Sequence, residues 1–278
     1  MSTPPVIPQK HLPPTAPVAP PPKNPWGGLA IDFLIAVGVM LAVMLLGMVG
    51  WGAVQGVKTG SKNPAAAADP EALAQAIGEP SAVLMMVISS VGMAGAALAV
   101  YYFRRRATPA ERQVSNAAAS QPRTWVEAIG LGVMLFLVGA VLMWGLEKLG
   151  HRPNPTNLKM VEALMAQSPA LLVMLVVVMA PVFEELLFRR GFFGRFWAAN
   201  KPMVGMLVSS LLFALAHEVP GTTGSPFGTT LILLLFYAGM GASMAWIYQR
   251  TKTLWAPIAT HATNNLLGVG MMLAGYAG

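Results

Sequence analysis

The sequence predicts an all-α polytopic membrane protein of about seven transmembrane helices, and three observations carry that prediction. Of 278 residues, 55% are hydrophobic and 10% charged, against about 25% charged in a soluble domain. Mean hydropathy is +0.59. The apolar residues gather into runs of about 20, the length that crosses a hydrocarbon core. Glycine and methionine are frequent, at 28 and 19 residues, which suits close helix packing and the filling of irregular apolar gaps. The sequence has no cysteine, which excludes disulfides, thiolate nucleophiles and Cys-ligated metals.

Residues 1–26 are expected to form a disordered, proline-rich cytoplasmic tail. The first 25 residues hold ten prolines and lack the apolar core of about 7–15 residues that a secretory signal needs. Residues 27–278 are expected to form one polytopic membrane domain. Candidate spans fall at 28–54, 82–103, 125–147, 169–190, 202–217, 227–248 and 253–275. The connection 55–81 carries a helical patch around PEALAQAIG. In the connection 148–168, Leu158, Val161 and Met165 recur at helical spacing, which predicts a short helix on the membrane surface.

Alternate connections differ in basic residues. Thirteen Lys and Arg fall on the side of the N-terminus, from Lys10 and Lys23 through Arg104–Arg106 to Arg250 and Lys252. Five fall on the other side, at Lys58, Lys62, Lys148, Arg152 and Lys159. Positive residues stay inside, so the expected topology has the N-terminus in the cytoplasm and the C-terminus outside, in a bacterial inner membrane. That distribution accounts for the net charge of +7 without nucleic acid as a partner.

Several polar groups interrupt the last spans, each costing roughly 2.5–3.5 kcal/mol at the centre of a membrane helix. Glu184, Glu185 and Arg189 follow ALLVMLVVVMAPVF; His217 closes MVGMLVSSLLFALA; His261 and Asn265 interrupt the last run. A turn at Asn200-Lys201-Pro202 places Glu184 and His217 equally far from it, roughly 24 Å along two antiparallel helices. Glu184 and Glu185 point about 100° apart, so only one faces a small site. Glu185 and Arg189, four residues apart, are expected to pair and cancel a costly charge. Glu184 is left to face a cavity with His217, and Phe213 walls it. His261 and Asn265 present an imidazole and an amide side by side. These groups permit hydrolysis: a carboxylate in apolar surroundings as general base, His217 holding the water, and His261 and Asn265 donating to an oxyanion. No serine nucleophile elbow and no HExxH is present.

EELLFR (Glu184 to Arg189), FALAH (Phe213 to His217) and HATNN (His261 to Asn265) resemble the EExxxR, FxxxH and HxxxN/B motifs of the CPBP family. That family comprises CAAX proteases of the Rce1 type and Abi bacteriocin-processing or immunity proteins. The resemblance covers about residues 169–275, the expected catalytic core. It implies an intramembrane endopeptidase cutting near the C-terminus of a membrane-attached protein or peptide. Carried over, Glu184 activates water with His217, His261 and Asn265 form the oxyanion hole, and Glu185 and Arg189 support them. A metal-free glutamate mechanism is the preferred reading; with Zn²⁺, the ligands would be Glu184, His217 and His261.

Asp32, near the cytoplasmic end of the first span, is expected to be solvated or capping, Glu127 and Glu147 to be interfacial, and Glu218, next to His217, is a candidate for supporting the site. The polar segment 218–228 is expected to line the cavity. Two other functions fit the same residues: a catalytically silent membrane chaperone or immunity partner, and a proton-coupled transporter, which would need broken half-helices in two matching halves.

Overall fold

The structure, a computed structural model, describes residues 24–151, 154–222 and 225–275. The expected tail lies outside them as far as residue 23. Proline at the first turn, where a missing N–H costs nothing, opens most of the helices. α1 is Pro25–Lys62, capped by the Asn24 side chain accepting from Trp26 N–H at 3.0 Å. α2 is Pro70–Ile77, α3 Ala82–Arg105, α4 Pro109–Ala119, α5 Pro122–Lys148 and α6 Leu158–Gln167. α7 is Pro169–Ala198, α8 Pro202–His217, α9 Phe227–Thr251 and α10 Trp255–Leu273. Among the described residues there is no strand.

The protein is an all-α integral membrane protein, but its seven expected spans are not equivalent. Five helices (α1, α3, α5, α7 and α9) are long and apolar enough to cross a bilayer. α8 has 16 residues, and α10 is depleted in hydropathy by His261, Asn264 and Asn265. Each packs along a longer neighbour, α8 along α9 and α10 along α5, while α8 leaves Met203, Leu207 and Leu211 exposed on its other face. α1 turns Leu45 and Leu46 outward, 64% and 71% exposed, which is apolar surface suited to lipid.

The core lies around α7, where Phe188, Phe192 and Phe196 meet Ala96 and Val100 of α3, Phe213 of α8 and Met240 and Met244 of α9. A second cluster joins Leu164 of α6 to Leu172, Leu175 and Val269. Thus α6, read from sequence as a surface helix, inserts one fully buried leucine under its polar face.

Asp32 is buried, not solvated as expected. Arg195 grips it, with Nη2 donating to Oδ1 at 2.6 Å, and Arg104 adds a second guanidinium. The reason is tertiary: the start of α1 lies between the basic ends of α3 and α7, where an unpaired carboxylate would be costly. The same end anchors α4. Its Thr108–Glu111 capping box leaves Glu111 free to accept two bonds from Arg190, at 2.9 and 2.8 Å.

Hydrogen bonding from Arg190 holds the Glu111 carboxyl down at about 2, from an ordinary 4.5. A depressed carboxylate contributes stability above its unfolded value and loses it as pH falls through the folded one. Docking of α4 is therefore expected to persist at pH 5 and loosen as pH falls from about 4.5 toward 2. A spin label at Gln113→Cys, in this cysteine-free chain, reads the change as increased mobility. A second prediction concerns Gly132, where α5 meets α10: an added Cβ would lie 2.6 Å from the Thr260 carbonyl and 2.7 Å from Thr263 Cβ. Gly132→Ala is expected to cost about 1–3 kcal/mol, read as a lower melting temperature in detergent.

Candidate active site

α7 carries the site, and its backbone is not uniformly α-helical. Val173–Met179 and Leu186–Phe193 are wound as π-helix, with Ala180–Glu185 as an α turn between them. Pro181 supplies the physical cause of the first stretch. Its ring crowds the carbonyl four residues back, and widening the preceding turn relieves that contact. In the widened ladder Ala180 N–H reaches the Leu175 carbonyl; the next donor in register is Pro181, which has none. The Val176 carbonyl instead accepts from Asn265 Nδ2 at 2.9 Å.

The helix ends at a turn that the sequence located. Asn200 adopts φ 57°, and Lys201 N–H donates to the Phe196 carbonyl at 2.8 Å while Asn200 N–H donates to that of Trp197 at 3.1 Å. This is the paired bonding of a Schellman cap, with asparagine in the left-handed position. α8 then runs back along α7, ending at His217.

Three groups converge there. Glu184 Oε2 lies 3.4 Å from His217 Nε2 and 3.9 Å from His261 Nε2. His217 Nδ1 lies 2.9 Å from the Phe213 carbonyl and His261 Nδ1 3.0 Å from Glu185 Oε1. Both partners only accept, so both Nδ1 atoms donate and each neutral ring turns an Nε2 lone pair toward Glu184. Three lone pairs facing one point need a guest with positive charge: a shared proton, the two hydrogens of a water, or a cation. Glu184 Oε2 is buried without a well-aligned hydrogen bond in the protein, which fits such a guest. Phe213 lies against His217, centroids 4.1 Å apart, and edge-on to His261 at 5.9 Å.

Glu185 and Arg189 are both fully buried and 3.0 Å apart. The guanidinium also lies 4.5 Å from the Phe213 ring and donates to the Gly241 carbonyl at 3.3 Å. The phase argument from sequence was incomplete here: Glu185 points away from Glu184, yet reaches the same site through the far side of His261. One imidazole ring spans both carboxylates. Asn265 is nearby but commits one amide N–H to Val176, and its Oδ1 accepts from Asn264 Nδ2 at 3.0 Å. One N–H of that amide remains for a ligand.

Two contributors had no sequence signal. Tyr237 of α9 lies against His217, centroids 5.1 Å apart. Thr156 donates through its N–H and its hydroxyl, each at 3.2 Å, to the buried Glu218 Oε2. Val219 N–H completes the link by donating to Thr156 Oγ1 at 3.2 Å. The connection before α6 is thereby tied to the residue after His217. Of the segment expected to line the cavity, residues 223–224 lie outside the described ones.

Residues 166–267 match the family model described as type II CAAX prenyl endopeptidase Rce1-like. The resemblance read from the three motifs is borne out over this segment. The chain is 31% identical over 107 residues to a putative membrane peptidase, YdiL, of Bacillus subtilis (strain 168), covering 38% of this chain and 39% of that one. It is 29% identical over 122 residues to the membrane-embedded CAAX protease MroQ of Staphylococcus aureus (strain USA300), covering 42% and 44%. The matches thus span about two fifths of these curated relatives. No solved structure matches.

Arg189→Met strands the Glu185 charge in a dry interior and is expected to cost about 3–5 kcal/mol, measured by melting in detergent. Adding Glu185→Gln to it is expected to recover part of that loss, because no unpaired charge then remains.

Proposed function

We propose that this chain is an intramembrane endopeptidase of the CAAX-protease-like type, hydrolysing a peptide bond near the C-terminus of a membrane-attached protein or peptide. The observation that carries this reading is the convergence of Glu184 Oε2 with two imidazole Nε2 atoms, inside the segment that matches an endopeptidase family.

A water held between Glu184 and His217 donates its protons to two acceptors. Glu184 takes one as the water oxygen attacks the scissile carbonyl. The oxyanion that forms faces His261 and the remaining amide N–H of Asn265. With its Nδ1–H directed at Glu185, His261 donates to the oxyanion from Nε2 when it carries the proton that the three converging groups share. Arg189 answers the Glu185 charge, so the acid stays a fixed acceptor rather than a second base. Glu184 then passes its proton to the leaving amine. Phe213 and Tyr237 confine the His217 ring between them and keep bulk water from the chamber.

A zinc-dependent reading also has an observation behind it. The ligand atoms of Glu184, His217 and His261 all lie within 4.8 Å of one another, and both imidazoles have their Nδ1 atoms fixed by oxygen acceptors, as metal-bound histidines do. These residues fit Zn²⁺, with Glu184 Oε2 and the two Nε2 atoms as ligands. Bound there, the metal would supply Lewis acidity and a more acidic water. We keep the metal-free reading as the first one, because the i, i+4 pair His261 and Asn265, with one Asn265 amide N–H left for a ligand, serves as a donor pair for an oxyanion at least as well.

We also assign the basic end to the cytoplasm. Arg104, Arg105, Arg190, Arg195 and Arg250 gather at the end where α1 begins and where α7 and α9 finish, as the positive-inside bias requires. The site then serves substrates presented from inside or within the bilayer.

Purified protein in detergent, offered membrane-anchored reporter peptides, is expected to cleave them. Glu184→Gln should lower kcat by about 10²–10⁴, and Asn265→Ala by about 10²–10³. Insensitivity to chelators supports the glutamate mechanism; loss under chelation with recovery on adding Zn²⁺ makes Glu184, His217 and His261 ligands. No cleavage across a broad panel points to a non-catalytic membrane partner instead.

A further inference from the structure

A cavity of about 740 Å³ lies under α4, at the basic end of the molecule and apart from Glu184, His217 and His261. Its floor is apolar, with Val182 and Leu186 from α7 and Leu254 and Ile258 from the start of α10. Its rim is basic and aromatic, with Arg105, Lys252, Trp197 and Trp255. α4 forms the roof but buries none of its own residues. It is held by polar contacts at either edge, Glu111 to Arg190 and Ser115 Oγ to Thr253 Oγ1 at 2.8 Å.

The charge on the rim is unbalanced. Glu111, the acid among the lining residues, is already paired with Arg190. Among the described residues, neither Arg105 nor Lys252 has a carboxylate within ion-pair distance. Arg105 donates instead from Nε to the Arg190 carbonyl at 3.4 Å, and the glycine at 194 leaves room for its guanidinium, whose Nη2 would be 3.1 Å from an added Cβ. Lys252 projects from a left-handed position, φ 60°, immediately after α9. Arg112, also in the lining, donates from Nη1 to the Ala107 carbonyl at 3.0 Å and likewise has no acid at ion-pair distance among the described residues, so three cations without acids stand over an apolar slot.

Arginine, lysine and tryptophan together at the end of a helical bundle define the depth of lipid headgroups. A peptide with a free carboxylate would answer the charge but not this depth. We propose that the cavity is a binding site for one anionic phospholipid, its phosphate between Arg105 and Lys252 and the upper part of an acyl chain against Val182, Leu186, Leu254 and Ile258. Such a lipid fixes α4 to the membrane domain beside α7 and α10, the two helices that carry Glu184, Glu185 and His261. The inference does not depend on the peptidase reading.

Native mass spectrometry of the full-length purified protein, supplied with equal phosphatidylglycerol and phosphatidylcholine, tests it. Wild type is expected to retain one phosphatidylglycerol in preference. Arg105→Gln and Lys252→Gln should each weaken that retention about five-fold, Arg105→Lys should largely restore it, and Glu184→Gln should leave it unchanged. Phosphatidylglycerol with brominated acyl chains should quench wild-type fluorescence more than that of a Trp197→Phe/Trp255→Phe variant. Melting curves confirm that each variant is folded. Equal retention of the two lipids, or retention indifferent to both charge-removing variants, overturns the proposal. Displacement of the lipid by millimolar inorganic phosphate, or by a peptide ending in a free carboxylate but not by its amide, overturns it too, reassigning the site to a soluble anion or a peptide terminus.

Discussion

Glu185 and Arg189 sit fully buried in the middle of the protein, 3.0 Å apart, and most of the site's geometry is conditional on that pair. A single charge in such surroundings would cost several kcal/mol; two opposite charges one helical turn apart remove most of the cost. Once paired, Glu185 remains an acceptor and can hold His261 by Nδ1 at 3.0 Å. That bond turns the ring so that its Nε2 faces Glu184. Arg189 in turn lies over the Phe213 ring and reaches the Gly241 carbonyl, which binds α7 to α8 and α9. One ion pair therefore sets both the packing of three helices and the orientation of a histidine on a fourth.

The winding of α7 is the second condition. A proline in a membrane helix leaves a carbonyl without a donor, and a buried unpaired carbonyl costs about 1–3 kcal/mol. Here the carbonyl is that of Val176, and Asn265 supplies the missing bond. The same residue that the motif resemblance assigns to an oxyanion hole is thus also what ties α10 to α7. Its two amide hydrogens make both roles compatible. The expectation that Asn265 acts beside His261 and the plainer reading of a helix-joining asparagine describe different hydrogens of one group.

Polar contacts at the two ends of the bundle work differently. At one end, Asp32 pairs with Arg104 and Arg195, and Glu111 with Arg190, which locks α1, α3, α4 and α7 together. Charge there is held by charge. At the other, Thr156 and Glu218 join the α5–α6 connection to the end of α8. The sequence predicted the excess of basic residues at one end but read Asp32 as solvated, because nothing local to DFLIAVG shows that the arginines of α3 and α7 will converge on it.

The sequence by itself determined the class of fold, the turn at Asn200, the Glu185–Arg189 pair and the approach of Glu184 to His217. Each follows from hydropathy, from a lysine and a proline that the interior of a span disfavours, or from counting along helices of fixed rise, and none needs knowledge of a distant segment. The tertiary structure alone decided that Glu185 reaches the site through His261, that Tyr237 backs His217, and that Val176 waits for Asn265. These depend on which helices are neighbours and at what rotation, and a π-helical stretch shifts that rotation in a way that a uniform 100° per residue does not express. Local periodicity fixes what a helix presents; packing fixes what meets it.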